Sequence, residues 1–249
     1  MANFVYVPDG RDTEMGSLAN QLNYFHEFNK LSGGERTLNQ VSSSDRLYLL
    51  CHGHGEMPVF CLTKIPESGT KSWTAGEMAD LLVSDRLSKQ IKEMQLLVCH
   101  AGESVADIKE AQFLLNLRAR AKEANEQHNK KLYEKLRKQY DSFVKKKTPP
   151  KPFISEKQAF PLAAQLYREL YHRGFKKLRI TSYKAPVAQY IPAAKKPFRP
   201  ELDLTSKGGK WGESLDKHPD YIALYTAALF RRLGWSLNPK DIKQPQSCW

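Results

Sequence analysis

Residues 47–55 read Leu-Tyr-Leu-Leu-Cys-His-Gly-His-Gly, and residues 94–102 read Met-Gln-Leu-Leu-Val-Cys-His-Ala-Gly. Each stretch is an apolar run of strand length that breaks off at side chains able to do chemistry. Strands that alternate with helical patterns along a chain are typical of an α/β fold with a mainly parallel sheet. We therefore expect a three-layer α/β sandwich, in which helices flank a mainly parallel central sheet.

The elements around these two runs support this reading. A first strand is predicted at Asn3–Val7, and Thr74 with Glu77 forms a capping box that opens a helix. Another strand is predicted at Leu178–Tyr183, and a last amphipathic helix at Tyr221–Leu233. A helix before residues 32–34 is indicated by apolar residues at helical spacing, which are Leu18, Leu22, Phe25 and Phe28.

The middle of the chain departs from the alternating pattern. From Ser104 to Val144 the sequence is rich in Ala, Glu, Lys, Leu and Arg and contains no Pro or Gly, which predicts one long helix or a helical hairpin. A proline-rich break follows at residues 145–152, and Ser155 is expected to cap a further helix that ends at Gly174. We interpret residues 1–249 as a single domain with a helical insertion at 104–148 and a loop-like basic flap at 184–212.

The two strand ends carry the residues of a thiol peptidase. In a parallel sheet, ligands bind beyond the carboxyl ends of the strands, so His52 and Cys99 meet in one crevice if their strands are neighbours. A thiolate is the nucleophile in such chemistry, and an imidazole activates it. We predict Cys99 as nucleophile and His52 as its base, with the backbone N–H groups of Gly53 and Cys99 binding the oxyanion.

Other histidines and a metal site are alternatives. His54 lies two residues into a glycine-flanked loop, so it is a weaker candidate for the base, and His100 should point away from Cys99. The zinc-type ligands in the two blocks leave a zinc-dependent hydrolase open as a third hypothesis, although no carboxylate follows at motif spacing. Cys51 and Cys61 are interpreted as structural core thiols.

The charge balance favours an anionic partner. The net charge is +12, and residues 176–210 hold many cations opposed only by Glu201 and Asp203. Converging Lys and Arg side chains suit a compact polyphosphate. The alternatives are a solvated basic loop and a non-catalytic polyphosphate- or RNA-binding module, but no nucleic-acid motif is present, so nucleic acid is the less favoured partner. The candidate polyphosphate ligands are Lys176, Lys177, Arg179, Lys184, Lys195, Lys196, Arg199, Lys207 and Lys210.

The apolar runs, the first residues and the cysteines bear on membrane association and cellular compartment. No apolar run reaches the roughly 20 residues that span a bilayer, so no membrane span is expected. The first residues lack a basic head followed by an apolar stretch, which excludes a classical signal peptide. Four cysteines at irregular spacing predict reduced thiols in a reducing compartment.

The histidine and cysteine blocks resemble those of the caspase–separase–gingipain group of peptidases. Residues 49–55 and 96–102 are most similar to the cysteine protease domain of RTX toxins and large clostridial toxins. The likeness extends from about residue 46 to 215, through the helix opened at residues 72–82 and a flap that ends near Trp211. It departs at Val98, where the toxin domains tend to have Gly, and in the helical insertion.

The resemblance also implies a fold, an activator, a place of action and a substrate class. It implies a caspase-like sheet and inositol hexakisphosphate as allosteric activator, bound by the basic flap. That activator belongs to the eukaryotic cytosol, so the resemblance also implies a stand-alone bacterial effector or toxin, secreted by a non-classical route and active in the host cell cytoplasm. Its substrate would be a host protein, itself, or both, and the toxin likeness favours leucine before the scissile bond.

Overall fold

In a computed structural model, the structure describes residues 1–34, 37–53, 61–66, 68–99, 101–102, 120–145, 161–183, 187–189, 204–206, 222–233, 235–238 and 240. The chain divides into two units. One unit comprises Met1–Glu103 together with Phe160–Trp249, and the other comprises Ser104–Ala159. The candidate nucleophile and base both belong to the first unit.

The described part of the first unit is built on a mostly parallel six-stranded sheet. Its strands are β1 (Asn3–Val7), β2 (Asn29–Ser32), β3 (Arg46–Leu50), β7 (Glu93–Leu97), β8 (Arg179–Tyr183) and β11 (Ile222–Tyr225). Their order in the sheet is β11-β8-β7-β3-β1-β2, and only β11 runs antiparallel to its neighbour. The neighbouring strands β1 and β3 are mostly apolar and buried, as parallel strands covered on both faces must be.

Helices cover both faces of this sheet. The helices are α1 (Thr13–His26), α2 (Ala75–Ser84), α4 (Leu162–His172) and α5 (Ala227–Arg232), with a short 3₁₀ helix at Thr37–Gln40. Met15, Ala19 and Leu22 of α1 pack on one face, against the side chains of Val5 and Tyr48.

The α2 helix packs on the opposite face of the sheet. Tyr6 alternates with Val5 along β1 and therefore points away from α1. Its hydroxyl donates to Asp85 Oδ2, directly after α2, at 2.7 Å. The α2 helix in turn packs against α4. Helices on both faces of a mainly parallel sheet are compatible with the expected three-layer sandwich.

Two small antiparallel sheets complete the described strands. The first contains β4 (His52–Gly53), β5 (Cys61–Ile65) and β6 (Gly69–Trp73), in that order. The second pairs β9 (Val187–Gln189) with β10 (Leu204–Ser206). Part of the region predicted as a loop-like basic flap is therefore a pair of strands.

The described part of the second unit is helical. Residues 120–126 are helical, and α3 follows at Lys130–Lys145 after a turn in which His128 has φ of 55°. Ala124 and Leu136 bury each other across the two segments, with Ala121, Leu132 and Tyr133 packed around them. Over these residues the helical-hairpin alternative is confirmed, and a single continuous helix is wrong.

Two predicted helices needed correction. The first ends at His26 because Glu27 adopts a left-handed conformation, so Phe28 is a core residue that precedes β2. The last predicted helix, Tyr221–Leu233, begins instead with strand β11, because Ile222–Tyr225 pairs with β8. Its helical part starts only after Thr226, whose hydroxyl accepts from the Leu229 N–H.

One capping box and the next strand were predicted correctly, whereas the cap of α4 was not. The capping box at Thr74 and Glu77 is present, and it opens α2. The strand Arg179–Tyr183 forms one residue later than predicted, and Gly174 follows α4 with φ of 103°. The α4 helix begins at Leu162 with Pro161 at its N-cap position, so Ser155, outside the described residues, is not its cap.

Within the described residues, no helix is both long enough and apolar enough to cross a membrane.

Candidate active site

The two strands that end at the candidate dyad are neighbours. β3 and β7 pair in parallel, with Leu50 opposite Leu97 at their carboxyl ends. The prediction that His52 and Cys99 meet required these two strands to be neighbours, and they are. His52 and Cys99 each follow the last paired residue by two positions, at the same edge of the sheet.

The histidine block and the cysteine block are in direct backbone contact. A Cβ placed on Gly53 would lie 1.9 Å from the carbonyl oxygen of Cys99 and 2.9 Å from its Cα. Only a residue without a side chain fits in this space, because Cβ atoms essentially never approach another heavy atom within 3.0 Å. The sequence predicts Gly53 as an oxyanion donor, and the structure adds a close approach of its backbone to Cys99.

Cys99 lies in a tight turn that is anchored on both sides. The Ala101 N–H donates to the Val98 carbonyl at 3.3 Å, which closes a turn around Cys99. After the turn, the Gly102 N–H donates to the Tyr183 carbonyl at the end of β8 at 2.9 Å, and the Ala101 carbonyl accepts from the first turn of α4. Cys99 itself is partly exposed.

The His52 side chain lies beside the start of α1. Its Nε2 lies 3.5 Å from Asp12 Oδ2 and 3.6 Å from Glu14 Oε2, and its side chain is 12% exposed. Both distances exceed an ordinary N–H···O hydrogen bond. Catalytic hydrogen bonds are often this loose before substrate binds. The arrangement leaves Nδ1 as the nitrogen that is not directed at these carboxylates.

Asp12 is fixed in place by the fold. It is fully buried and is the N-cap of α1, where its Oδ1 accepts from the Met15 N–H at 3.0 Å. Its Oδ2 accepts from the Lys64 N–H of β5 at 2.8 Å. The positive end of the helix dipole favours a carboxylate at this position. A buried carboxylate with two backbone donors can orient an imidazole without moving.

Glu14 is the more adaptable of the two acids. It is mostly exposed, and its Oε2 also lies 3.2 Å from the Lys64 Nζ. An exposed pair of this kind exchanges partners at little energetic cost. We therefore assign the orienting role to Asp12 and regard Glu14 as a neighbour.

Asp12 is not among the site residues predicted from the sequence. The residue follows β1, and β1 is the other parallel neighbour of β3, with Tyr6 opposite Leu49. Three successive carboxyl ends therefore carry Asp12, His52 and Cys99. The available signal is an acidic residue a few positions beyond a predicted parallel strand, on the side of the sheet where ligands bind.

The two further cysteines of the region are buried, as expected for core thiols. Cys51 is 3% exposed and Cys61 is 1% exposed. Among the described residues, Cys51, Cys61 and Cys99 form no disulfide. Burial raises the pKa of the Cys51 thiol well above its usual value, and its hydrogen bond with Cys61 and the nearby charges of Asp12 and Cys99 act in the same direction.

Three of the polyphosphate candidates are described by the structure, and they lie near the amino ends of the parallel strands, opposite to His52 and Cys99. Arg179 is the first residue of β8 and pairs with Glu93, which also accepts from Arg46 Nε at 2.6 Å. Lys177 Nζ donates to Gln90 at 3.2 Å, and Lys176 Nζ lies 3.7 Å from the ring centroid of Tyr171. The remaining candidates lie outside the described residues, and these are Lys184, Lys195, Lys196, Arg199, Lys207 and Lys210.

The zinc alternative gains no support from the described part of the chain. There, no three His, Cys, Asp or Glu side chains are grouped so as to hold a metal ion. His54 and His100, which belonged to that hypothesis, lie outside the described residues.

Comparison with known proteins adds no assignment. No protein-family model matches the chain, and no curated protein matches it with significant similarity.

Proposed function

We propose that this protein is a cysteine endopeptidase with a caspase-like fold, in which Cys99 is the nucleophile and His52 the base. One observation carries the proposal. The Gly53 backbone packs on the Cys99 backbone at the carboxyl ends of two paired parallel strands, which makes the histidine block and the cysteine block one structural unit. The buried Asp12 beside His52 adds the group that such a base needs for its orientation.

The proposed reaction proceeds in two steps. His52 takes the proton of the Cys99 thiol, and the thiolate attacks the carbonyl carbon of the scissile peptide bond. The C–N bond breaks, His52 returns the proton to the leaving amine, and a thioester remains on Cys99. Water, deprotonated by His52, then hydrolyses the thioester. The N–H groups of Gly53 and Cys99 are the proposed oxyanion donors.

Asp12 is a positioning residue in this scheme. Its carboxylate faces Nε2 of His52, so it favours the tautomer that carries the proton on Nε2. Nδ1 is then the nitrogen that accepts the proton of Cys99. Because Asp12 is buried and held by two backbone N–H groups, the ring gains a fixed partner at no cost in side-chain ordering.

Inositol hexakisphosphate is the proposed activator. The exposed cations Lys176, Lys177 and Arg179 belong to neighbouring positions at the amino edge of the sheet. β7 runs from Glu93 at this edge toward Cys99, a distance of about 20 Å at the usual rise per residue. A polyanion bound here would not touch substrate, so it would have to act allosterically, by binding the active conformer more tightly. If inositol hexakisphosphate is the activator, the proposed place of action is the cytoplasm of a eukaryotic host cell, where an effector would meet it.

The test measures the reactivity of Cys99 rather than an unknown substrate. Wild type, His52→Ala and the control His172→Ala are treated with iodoacetamide, with and without inositol hexakisphosphate, and alkylation of each cysteine is followed by mass spectrometry. His172 is an exposed residue in the last turn of α4, so its loss controls for removal of a histidine. We expect fast alkylation of Cys99 in wild type and the control, and slow alkylation in His52→Ala.

The outcomes separate the hypotheses. If Cys99 of the folded protein reacts no faster than the cysteines of the urea-unfolded protein in every condition, the peptidase proposal is wrong. Thermal stabilisation by inositol hexakisphosphate together with an unreactive Cys99 would favour the non-catalytic polyphosphate-binding module. If Cys99 is alkylated fast whether or not the polyphosphate is present, the Cys99–His52 proposal stands and the proposal of inositol hexakisphosphate as activator is wrong.

A further inference from the structure

The helical second unit carries a row of lysines that the proposed peptidase site does not use. Lys131, Lys135 and Lys138 follow one another along α3 at intervals of four and three residues. At about 3.6 residues per turn, these positions fall within an arc of about 60° and extend over about 10 Å of the helix axis. These three residues are called the lysine row below.

The lysine row lies on the side of α3 that faces away from the hairpin core. Leu136 is 3% exposed and packs against Ala124 of the preceding helical segment, with Leu132 and Tyr133 beside it. The helical period sets the row about 140° around the axis from these apolar residues of α3. All three lysines are exposed, and within the described part of the chain none of them forms an ion pair. Their charges are therefore available to a partner.

The charge balance around the row favours an anionic partner. Residues 120–139 contain seven Lys and Arg side chains but only three Glu side chains. Glu126 lies 3.7 Å from Lys122, and Glu123 accepts from Gln127, so both belong to the preceding helical segment. Glu134 is the acid that borders the row. One carboxylate does not neutralise three ammonium groups, so the row keeps a positive field.

The make-up of the row favours a lipid surface over nucleic acid. Lys is a compact point charge on a flexible stem and lacks the planar fork with which Arg recognises phosphate in nucleic acids. Tyr133 packs with the hairpin core, so the row has no stacking surface of the kind that single-stranded nucleic acids use. The row is also convex, whereas single strands follow a positively charged groove. A bilayer with anionic headgroups offers a flat, diffuse negative potential that attracts Lys without defined partners.

We propose that the lysine row docks the helical unit on the surface of a bilayer that contains anionic phospholipids. The contact is electrostatic, because the apolar side of α3 at Leu136 is buried in the hairpin. Each Lys near such a surface strengthens partitioning about fivefold, so the three together contribute about a hundredfold. This inference goes beyond the proposed peptidase activity and does not depend on it.

Vesicle co-sedimentation tests the proposal on the full chain. The protein is mixed with sucrose-loaded vesicles of phosphatidylcholine alone, or of phosphatidylcholine and phosphatidylserine in equal parts. We expect binding only to the vesicles that contain phosphatidylserine. The bound protein should be released at about 1 M salt, where the Debye length is about 3 Å.

A triple variant and a matched control locate the contact. Lys131→Gln, Lys135→Gln and Lys138→Gln together remove the charge of the row, and Gln is nearly as good a helix former as Lys. We expect partitioning to fall about a hundredfold in this variant and much less in the control. The control replaces three exposed lysines of the first unit by Gln, and these are Lys30, Lys89 and Lys92.

Three results would overturn the proposal. The first is wild type that binds neither kind of vesicle, a result that needs no variant. The second is an equal loss of binding in the row variant and in the control. The third is row-dependent binding of oligouridylate without binding of vesicles, which would make nucleic acid the partner. Circular dichroism checks the helix of the triple variant, and if that helix is lost, Lys135→Gln alone should still weaken partitioning about fivefold.

Discussion

Replacement of Gly53 by alanine tests the contact on which the site is built. The new Cβ would lie 1.9 Å from the Cys99 carbonyl oxygen, 2.6 Å from its carbonyl carbon and 2.9 Å from its Cα. Since real Cβ atoms stay at least 3.0 Å away, the two backbones must separate by at least the difference of 1.1 Å. The neighbour is backbone in a hydrogen-bonded turn, so no flexible side chain can absorb the change.

This displacement falls on the proposed pair of Cys99 and His52. Misplacement of a reacting group by about 1 Å can cost about a hundredfold in rate. Overpacking of a closely packed site costs about 1–3 kcal/mol in the free energy of unfolding. We expect Gly53→Ala to lower the alkylation rate of Cys99 strongly and to lower the urea midpoint of unfolding.

The matched control is Gly76→Ala. Gly76 lies in α2, and its Cβ would meet only the Thr74 hydroxyl at 3.9 Å, an ordinary contact. Alanine in a helix is favoured over glycine by about 0.5–1 kcal/mol, so this variant should be slightly stabilised and fully reactive at Cys99. If Gly53→Ala matches Gly76→Ala in both measurements, the inferred contact between the two blocks is wrong.

Three further changes test other parts of the structure. Asp12→Asn keeps one acceptor oxygen for the N-cap of α1 but removes the charge beside His52 and the second acceptor, so thiol reactivity should fall about 10²-fold or more and the free energy of unfolding by about 1–3 kcal/mol. Tyr6→Phe removes the buried hydroxyl that donates to Asp85, which should lower the free energy of unfolding by about 1–3 kcal/mol in urea titrations. Burial opposes ionisation of Glu93, but two neighbouring guanidinium groups outweigh it and lower its pKa, so its stabilising effect is present above about pH 4.3 and is lost as pH falls through the folded value. Glu93→Gln should therefore lose less stability on acidification than wild type, and equal acid sensitivity in thermal melts would refute this assignment.

The sequence predicted the features that depend on neighbouring residues. The apolar runs that end at His52 and Cys99 are strands, because buried parallel strands need continuous apolar side chains. The helix at Thr74 was predicted from a capping box, a signal contained within four residues. The sequence therefore predicted that His52 and Cys99 follow the ends of two strands.

Other features depended on pairing between distant segments. Ile222–Tyr225 has the spacing of an amphipathic helix, but hydrogen bonds to β8 make it a strand, since tertiary contacts override a weak local preference. Phe28 fitted the helical pattern because it is apolar and lies at the right interval, yet its side chain reaches the core from the segment that leads into β2.

The sequence alone determined which residues end the two central strands, and the tertiary structure alone decided that these ends lie side by side. Apolar periodicity reports which residues are buried, but it carries no information on which strand pairs with which. Only the parallel pairing of β3 with both β1 and β7 brings Asp12, His52 and Cys99 to the same edge, across separations of 40 and 47 residues. The need for glycine at position 53 depends on the same pairing. The Cys99 backbone, which follows a different strand, fills the space that a side chain at position 53 would need.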